Sequence, residues 1–173
     1  KHDAQAEAVA GKPTPSVRVV PVEKSISIKN EVLPYDDVSR LIDQAGYIAL
    51  TECACRVSLK RCDRPTDVCL IMGYMGEFLV ERGYARHATK EQAHDALDRA
   101  ERAGLVHCSN NSQDGAVLIC NCCPCCCTIL RGRVEMNLKD SFAPGRYAAH
   151  VRGEECIGCG TCIDERCPNH AIS

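Results

Sequence analysis

The chain has 173 residues, with 21 basic and 23 acidic side chains and a formal net charge of −2. This length suits one compact domain or two small ones, and the near-neutral charge predicts neither a nucleic-acid footprint nor a polybasic membrane anchor. Apolar runs such as residues 47–50 are far too short to span a bilayer, and no signal-peptide core is visible, so we expect a cytoplasmic protein without membrane insertion.

Cysteine is the unusual component of this sequence, which contains 15 of them. A disulfide scaffold is disfavoured because the count is odd and because neighbouring cysteines cannot pair without strain. The cysteine spacings are instead typical of metal ligands. The composition therefore predicts bound metal.

Residues 1–30 are predicted to form an extended tail or linker. The segment begins with small residues and prolines, and Pro21 interrupts any strand over residues 17–23. Such a segment is typical of chain that crosses a partner or a second domain.

Globular patterning begins after this tail. Apolar residues at helical spacing predict a helix over residues 35–45, with Gly46 as its stop. Residues 47–50 predict a short strand. A second helix is predicted over residues 69–82, where two internal glycines indicate either irregularity or close packing.

The clearest helix is predicted over residues 90–103. Thr89 is a good N-cap, and Gln92 completes a capping box. Two strands are predicted after it, over residues 105–107 and 116–120. This order of helix, strand, turn and strand resembles a small winged-helix-like α+β unit.

The C-terminal cysteines have the spacing C-x2-C-x2-C-x4-C-P, at Cys156, Cys159, Cys162 and Cys167. This resembles the bacterial ferredoxin run, in which the last gap is one residue shorter. Three closely spaced thiolates can bind three irons of a 4Fe–4S cubane. In two-cluster ferredoxins the cysteine before proline ligates the other cluster, so either Cys167 closes the local cluster or its partners lie elsewhere.

A second triple is hidden in the run NCCPCCC when it is extended by one residue. Cys120, Cys123 and Cys126 repeat the spacing C-x2-C-x2-C. Our hypothesis is that this triple holds a second 4Fe–4S cluster, with Cys167 as its fourth ligand.

The same run contains three further candidate ligands, Cys122, Cys125 and Cys127. Under this hypothesis, one of them completes the C-terminal cluster. The alternative pairs Cys122 with Cys125 and Cys123 with Cys126, which suits zinc or a non-standard Fe–S cluster. Spacing alone leaves both possibilities open.

A third ligand set is predicted from Cys53, Cys55, Cys62 and Cys69. The first two would lie side by side on an extended segment, and the basic loops between the others would offset the negative charge of a cluster. We expect a third 4Fe–4S cluster here, with zinc as the alternative. Cys108 stands alone and is predicted to be structural.

The predicted fold class is α+β, a small helical, winged-helix-like unit with cysteine-rich loops and a C-terminal ferredoxin-like segment. The predicted divisions are the tail (1–30), a cysteine-rich cluster-binding domain (31–130) and a ferredoxin-like 4Fe–4S segment (131–173).

Several motifs together resemble a family of bacterial and archaeal 4Fe–4S-binding proteins of poorly defined function. They are CACR, CLIMG, KEQAHDALDRAERAGLVH, ICNCCPCCC and the ferredoxin-like run. The resemblance covers residues 31–173. The resemblance implies bound 4Fe–4S clusters and related proteins that also bind them. It does not define a reaction.

We therefore predict a protein with two or three 4Fe–4S clusters that transfers single electrons, either to a redox protein partner or within a larger oxidoreductase. No acid–base constellation is visible, which favours an electron-transfer subunit over an enzyme by itself. One alternative is a redox enzyme whose NCCPCCC block holds an unusual or open-site cluster. Another is an Fe–S-dependent sensor that binds DNA, which the neutral charge disfavours.

Overall fold

The computed structural model describes residues 15, 17–20, 37–111, 115–138, 141–143 and 151–167. Within these residues a single sheet has the strand order β1-β5-β6-β3-β2-β4, and every neighbouring pair is antiparallel. Its strands are β1 (Val17–Val19), β2 (Ile48–Thr51), β3 (Cys69–Met72), β4 (Arg86–His87), β5 (Val106–Asn110) and β6 (Leu118–Cys122).

The described helices surround this sheet and make the fold α+β, as the sequence predicts. They are α1 (Val38–Gln44), α2 (Ala54–Leu59), α3 (Gly73–Glu81), α4 (Lys90–Arg102) and α5 (Thr128–Val134). A short 3-10 turn (Gly153–Glu155) and a π-helical turn (Cys162–Arg166) follow near the C-terminus. None of the described helices is long and apolar enough to cross a bilayer.

The main apolar core lies between the sheet and helices α1 and α4. Alternate residues of the central strands, such as Leu70 on β3 and Ile119 on β6, are fully buried in it, and Ile42 of α1 packs with them. Helix α4 buries a stripe of small residues that includes Ala93 and Ala96. Because side chains alternate across a strand, the cysteines next to Leu70 and Ile119 point to the opposite face of the sheet.

Helix α4 confirms the predicted capping box. The Thr89 hydroxyl accepts a hydrogen bond from the Gln92 backbone N–H at 3.3 Å, and the Gln92 side chain accepts one from the Thr89 backbone N–H at 3.0 Å. Both bonds satisfy N–H groups that a helix leaves unpaired at its start.

The helix predicted over residues 69–82 is wrong in its first four residues. Cys69–Met72 forms strand β3, which is paired with β2 on one side and β6 on the other. Gly73, at φ +60°, turns the chain into helix α3. Helical spacing could not reveal this strand, because its hydrogen-bond partners lie in distant parts of the sequence.

Part of the predicted tail belongs to the sheet. Strand β1 pairs with β5 at the sheet edge, and the Val20 N–H donates to the His107 carbonyl at 2.9 Å. Val20 is 1% exposed and lies in the main core. Apart from residues 15 and 17–20, the predicted tail lies outside the described residues.

The helix–strand–strand order after residue 90 is present, with both strands displaced or lengthened relative to the prediction. Strands β5 and β6 pair with each other and also with β1 and β3, so they lie inside a wider sheet. The winged-helix-like interpretation stays a prediction.

Candidate metal centre

Four cysteine thiols converge at one end of the sheet. They are Cys62, Cys123, Cys125 and Cys126, and their Sγ atoms all lie within 4.8 Å of one another. The Cys62 Sγ is 3.8 Å from that of Cys123 and 4.0 Å from that of Cys126. We call these residues the four-cysteine group, and their arrangement could hold a metal ion.

Two tight turns bring this group together. Two residues before Cys62, Lys60 ends helix α2 in a left-handed conformation, with φ 51°, and its N–H donates to the Arg56 carbonyl. On the other side, β6 ends at Cys122 and the chain turns before α5. The Cys127 N–H donates to the Cys123 carbonyl at 3.0 Å and closes this second turn.

The buried side of the four-cysteine group is apolar. Cys123 and Cys126 are 1% and 0% exposed. Val68, Ala100 and Leu105 pack against them. Hydrogen bonds and interactions between charges are stronger in such an environment than in water.

Two arginines direct N–H groups at these sulfurs. Arg56 Nη1 lies 3.9 Å from the Cys123 Sγ, and Arg64 Nη1 lies 3.8 Å from the Cys125 Sγ. Arg64 is held in place by a bond from its Nε to the Ala103 carbonyl at 3.1 Å. A guanidinium at this distance can offset the negative charge of a metal-bound sulfur.

Arg56 is the most unusual of the charged side chains around the site. It is 2% exposed, and its Nε and Nη2 atoms have no hydrogen-bond partner among the described residues. Burial acts to lower the pKa of Arg56, whereas interaction with the thiolate forms of Cys53, Cys69 and Cys123 acts to raise it. A buried guanidinium is costly unless an anion compensates it, so these residues fit an anionic thiolate or metal–thiolate centre.

A second set of thiols lines the sheet face opposite the main core. Cys69 on β3, Cys108 on β5 and Cys120 on β6 are brought together by the strand register, in which Cys108 is directly opposite Cys120. With Cys122 at the end of β6 and the cysteines of the adjoining helix starts, they form what we call the seven-cysteine group. Its members are Cys53, Cys55, Cys69, Cys108, Cys120, Cys122 and Cys127.

The thiols of this second group form a closed sequence of neighbours, and each is buried or half-buried. In order around the ring, the interacting thiols are those of Cys53, Cys55, Cys127, Cys122, Cys120 and Cys69, which returns to Cys53. Cys108 interacts with Cys122 from outside the ring. These thiols are therefore neighbours of one another rather than isolated core thiols.

Protonation within the seven-cysteine group is uneven. The Cys120 thiol, together with burial, raises the pKa of Cys69 to about 12. Hydrogen bonds from the Cys127 and Cys53 thiols lower the pKa of Cys55. Because metals bind thiolates, metal binding here would release the protons of the other thiols.

The structure groups the cysteines differently from their sequence spacing. The Cys62 thiol is grouped with those of Cys123, Cys125 and Cys126, whereas the sequence spacing groups Cys62 with Cys53, Cys55 and Cys69. The extended segment expected at Cys53–Cys55 is instead the start of helix α2, because Cys53 is its N-cap and Cys55 lies in its first turn. The thiols that meet at each site therefore come from several helices, strands and turns and not from one loop.

The hidden ferredoxin-like triple is also divided. Cys120 lies on strand β6 in the seven-cysteine group, whereas Cys123 and Cys126 lie in the turn beyond it. The sequence predicts Cys108 to be structural, yet its thiol interacts with that of Cys122. Cys108 pairs with Cys120 across the two strands, and Cys122 lies on the same face of β6 because side chains alternate along a strand. This alternation is the sequence signal that could have revealed the contact.

The C-terminal cysteines lie at the surface. Cys156, Cys159 and Cys162 are exposed, and Cys167 is half-buried, with its N–H bonded to the Cys162 carbonyl at 3.1 Å. Among the described residues, a set of three or more thiols mutually within 4.8 Å is found in the four-cysteine group, and neither here nor in the seven-cysteine group. A cluster on this motif stays a prediction.

Comparisons with protein-family models, curated proteins and solved structures find no match to this chain.

Proposed function

We propose that this protein is a multi-cluster iron–sulfur protein of the ferredoxin type that transfers single electrons to or within a larger oxidoreductase. Its 4Fe–4S or related clusters are held by the seven-cysteine group and by the C-terminal motif. Different residues support the clusters, the choice of iron–sulfur chemistry and the exchange of electrons with a partner.

The buried guanidinium of Arg56 is the observation that carries the proposal. It lies among Cys53, Cys69 and Cys123, and two of its nitrogens lack hydrogen-bond partners among the described residues. A set of neutral thiols would leave this cation uncompensated in an apolar interior. A cluster with its thiolates carries net negative charge and supplies the missing anion.

The number of adjacent thiols favours iron–sulfur chemistry over simple core packing. Buried cysteine is a good small hydrophobe, but its packing role requires no contact between thiols. In the seven-cysteine group each ring member interacts with at least two other cysteines. Soft thiolate ligands of this kind select iron–sulfur clusters, zinc or Cu(I).

The C-terminal motif supports electron exchange with a partner. Its first three cysteines are exposed, and Gly158 and Gly160 have φ values of 67° and 77°. Such left-handed glycines let the backbone turn tightly around a bound group. A cluster here would lie at the surface, where a partner protein can approach it.

Anaerobic purification followed by iron and acid-labile sulfide counting, Mössbauer spectroscopy and a redox titration tests the proposal. We expect at least two reversible one-electron couples, with iron and sulfide in similar amounts. A protein that contains iron without sulfide, or neither, would contradict it.

A redox enzyme is the second candidate, because the seven-cysteine group offers more thiols than the four that a cubane requires. The surplus suits a non-standard cluster with an open iron site. Addition of candidate substrates to the reduced protein should then change its EPR signal, whereas a pure electron carrier would keep the same spectrum.

A further inference from the structure

We infer that the four-cysteine group binds one zinc ion in a closed, tetrahedral tetrathiolate site that is structural and separate from the iron–sulfur clusters. This inference concerns Cys62, Cys123, Cys125 and Cys126 alone. It stands independently of the electron-transfer function, because a structural zinc site carries no electrons.

The spacing of the sulfurs fits a single ion. Four ligands at the Zn–S distance of about 2.3 Å form a tetrahedron with edges of about 3.8 Å. The Cys62 Sγ lies 3.8 Å from that of Cys123 and 4.0 Å from that of Cys126. The remaining separations all fall within 4.8 Å, so small side-chain adjustments suffice to bind zinc.

The same distances disfavour a cubane at these four residues. Each thiolate of a 4Fe–4S cluster binds a different iron, so the cluster core stands between the sulfurs and holds them farther apart. To admit a cubane, Cys123 and Cys126 would have to move outward from fully buried positions against Val68 and Leu105. A single ion needs no such expansion.

Hydrogen bonds to sulfur come from both sides of the group. The backbone N–H groups of Arg61 and Arg64 interact with the sulfurs of Cys126 and Cys62. The side chains of Arg56 and Arg64 approach Cys123 and Cys125. Each thiol is therefore met by a donor, and the two guanidinium groups offset the negative charge of a zinc tetrathiolate.

The position of the site indicates its role. Cys62 belongs to the loop between α2 and β3, whereas the other three ligands belong to the turn between β6 and α5. One ion would join these distant segments and fix the turn that also places Cys122 and Cys127 in the seven-cysteine group. Four protein ligands leave no open position for a substrate, which is typical of structural zinc.

Metal analysis and zinc K-edge X-ray absorption of the purified wild-type protein test the inference directly. We expect about one zinc per chain with four sulfur neighbours at about 2.3 Å. A protein without zinc, or one whose zinc has nitrogen or oxygen neighbours, would overturn it. Protein produced in zinc-free medium with Co²⁺ should show the visible bands of tetrahedral cobalt thiolate, and octahedral bands would count against the site.

The matched variants are Cys62→Ser, in the four-cysteine group, and Cys108→Ser, outside it. We expect the first to lose its zinc and the second to keep it, with iron and sulfide measured separately in both. Loss of iron and sulfide with zinc retained in Cys62→Ser would show a cluster at this site. If Cys62→Ser does not fold, the zinc X-ray absorption spectrum of the wild-type protein still tests whether four sulfurs bind the zinc.

The two proposals can fail separately. Iron and sulfide without zinc would overturn the zinc site alone, and zinc without iron and sulfide would overturn the electron-transfer function alone.

Discussion

Arg56 donates a hydrogen bond from its Nη1 to the backbone carbonyl of Asn121 across a distance of 2.7 Å, and both residues are almost completely buried. This bond joins helix α2 to strand β6. It also holds the guanidinium beside Cys123, between the four-cysteine group and the seven-cysteine group. The relative position of the two sulfur sites therefore depends on this contact.

Arg56→Met should destabilise the protein and reduce its metal content. It removes a buried cation and leaves the nearby thiolates without compensation, which typically costs about 3–5 kcal/mol. Urea unfolding of the metal-loaded protein and metal analysis would measure both effects. Arg133→Met, at an exposed position of α5, is the control and should change the free energy of unfolding by about 0.5 kcal/mol or less. Equal stability of the two variants would refute the role of Arg56.

Gly76→Ala should destabilise helix α3 against the sheet. A Cβ at this position would lie 2.7 Å from the Ile71 carbonyl oxygen and 3.3 Å from the Ala49 Cβ. Overpacking of this kind costs about 1–3 kcal/mol, and the better helix propensity of alanine offsets up to about 1 kcal/mol. Thermal unfolding should show a lower midpoint for Gly76→Ala. Gly46→Ala, which has open space around its Cβ, should be nearly neutral, and a similar loss there would remove the steric explanation.

Features that depend on local chemistry could be predicted from the sequence. The start of helix α4 follows from Thr89 and Gln92 because a capping box involves only neighbouring residues. Strand β3 could not be predicted in this way, because Cys69–Met72 becomes a strand through pairing with β2 and β6. Pairing with the neighbouring strands therefore outweighed the helical spacing of these residues.

The cysteine content predicted the type of site but not the grouping of its ligands. Spacing along the chain connected Cys62 with Cys69, whereas the structure places Cys62 beside Cys123, on a distant loop. Sheet topology brings these loops together, and a motif contains no information about it. Strand alternation likewise separates Cys120 from Cys123, since one belongs to the sheet face and the other to the following turn.

His107 should make the stability of the protein depend on pH. Burial lowers its pKa, and the hydrogen bond to Asn121 only partly opposes this. Because the folded-state pKa lies below the unfolded value of about 6.5, the neutral imidazole contributes stability above that pH. This contribution is lost as the pH falls below about 6.5, by up to about 1.4 kcal/mol per pH unit.

Unfolding titrations of wild type and His107→Gln between pH 7.5 and 5, about the range in which histidine titrates, would measure this effect. When the free energy of unfolding of the variant is subtracted from that of the wild type, the pH dependence that both proteins share through their thiolates cancels. We expect the wild type to lose more stability than the variant on acidification. Parallel curves would mean that His107 is not the responsible group.

Cys120→Ala and Cys126→Ala should lose different metals. In the structure, Cys120 contacts Cys69 and Cys122 in the seven-cysteine group, whereas Cys126 lies in the four-cysteine group. Cys120→Ala is therefore expected to lower iron and sulfide by one cluster and to retain zinc, and Cys126→Ala to lose zinc. The ferredoxin-like spacing shared by these residues predicts the opposite, loss of the same cluster from both variants. Metal and sulfide analysis of the two proteins side by side distinguishes the groupings, because identical losses would favour sequence spacing over the arrangement in the fold.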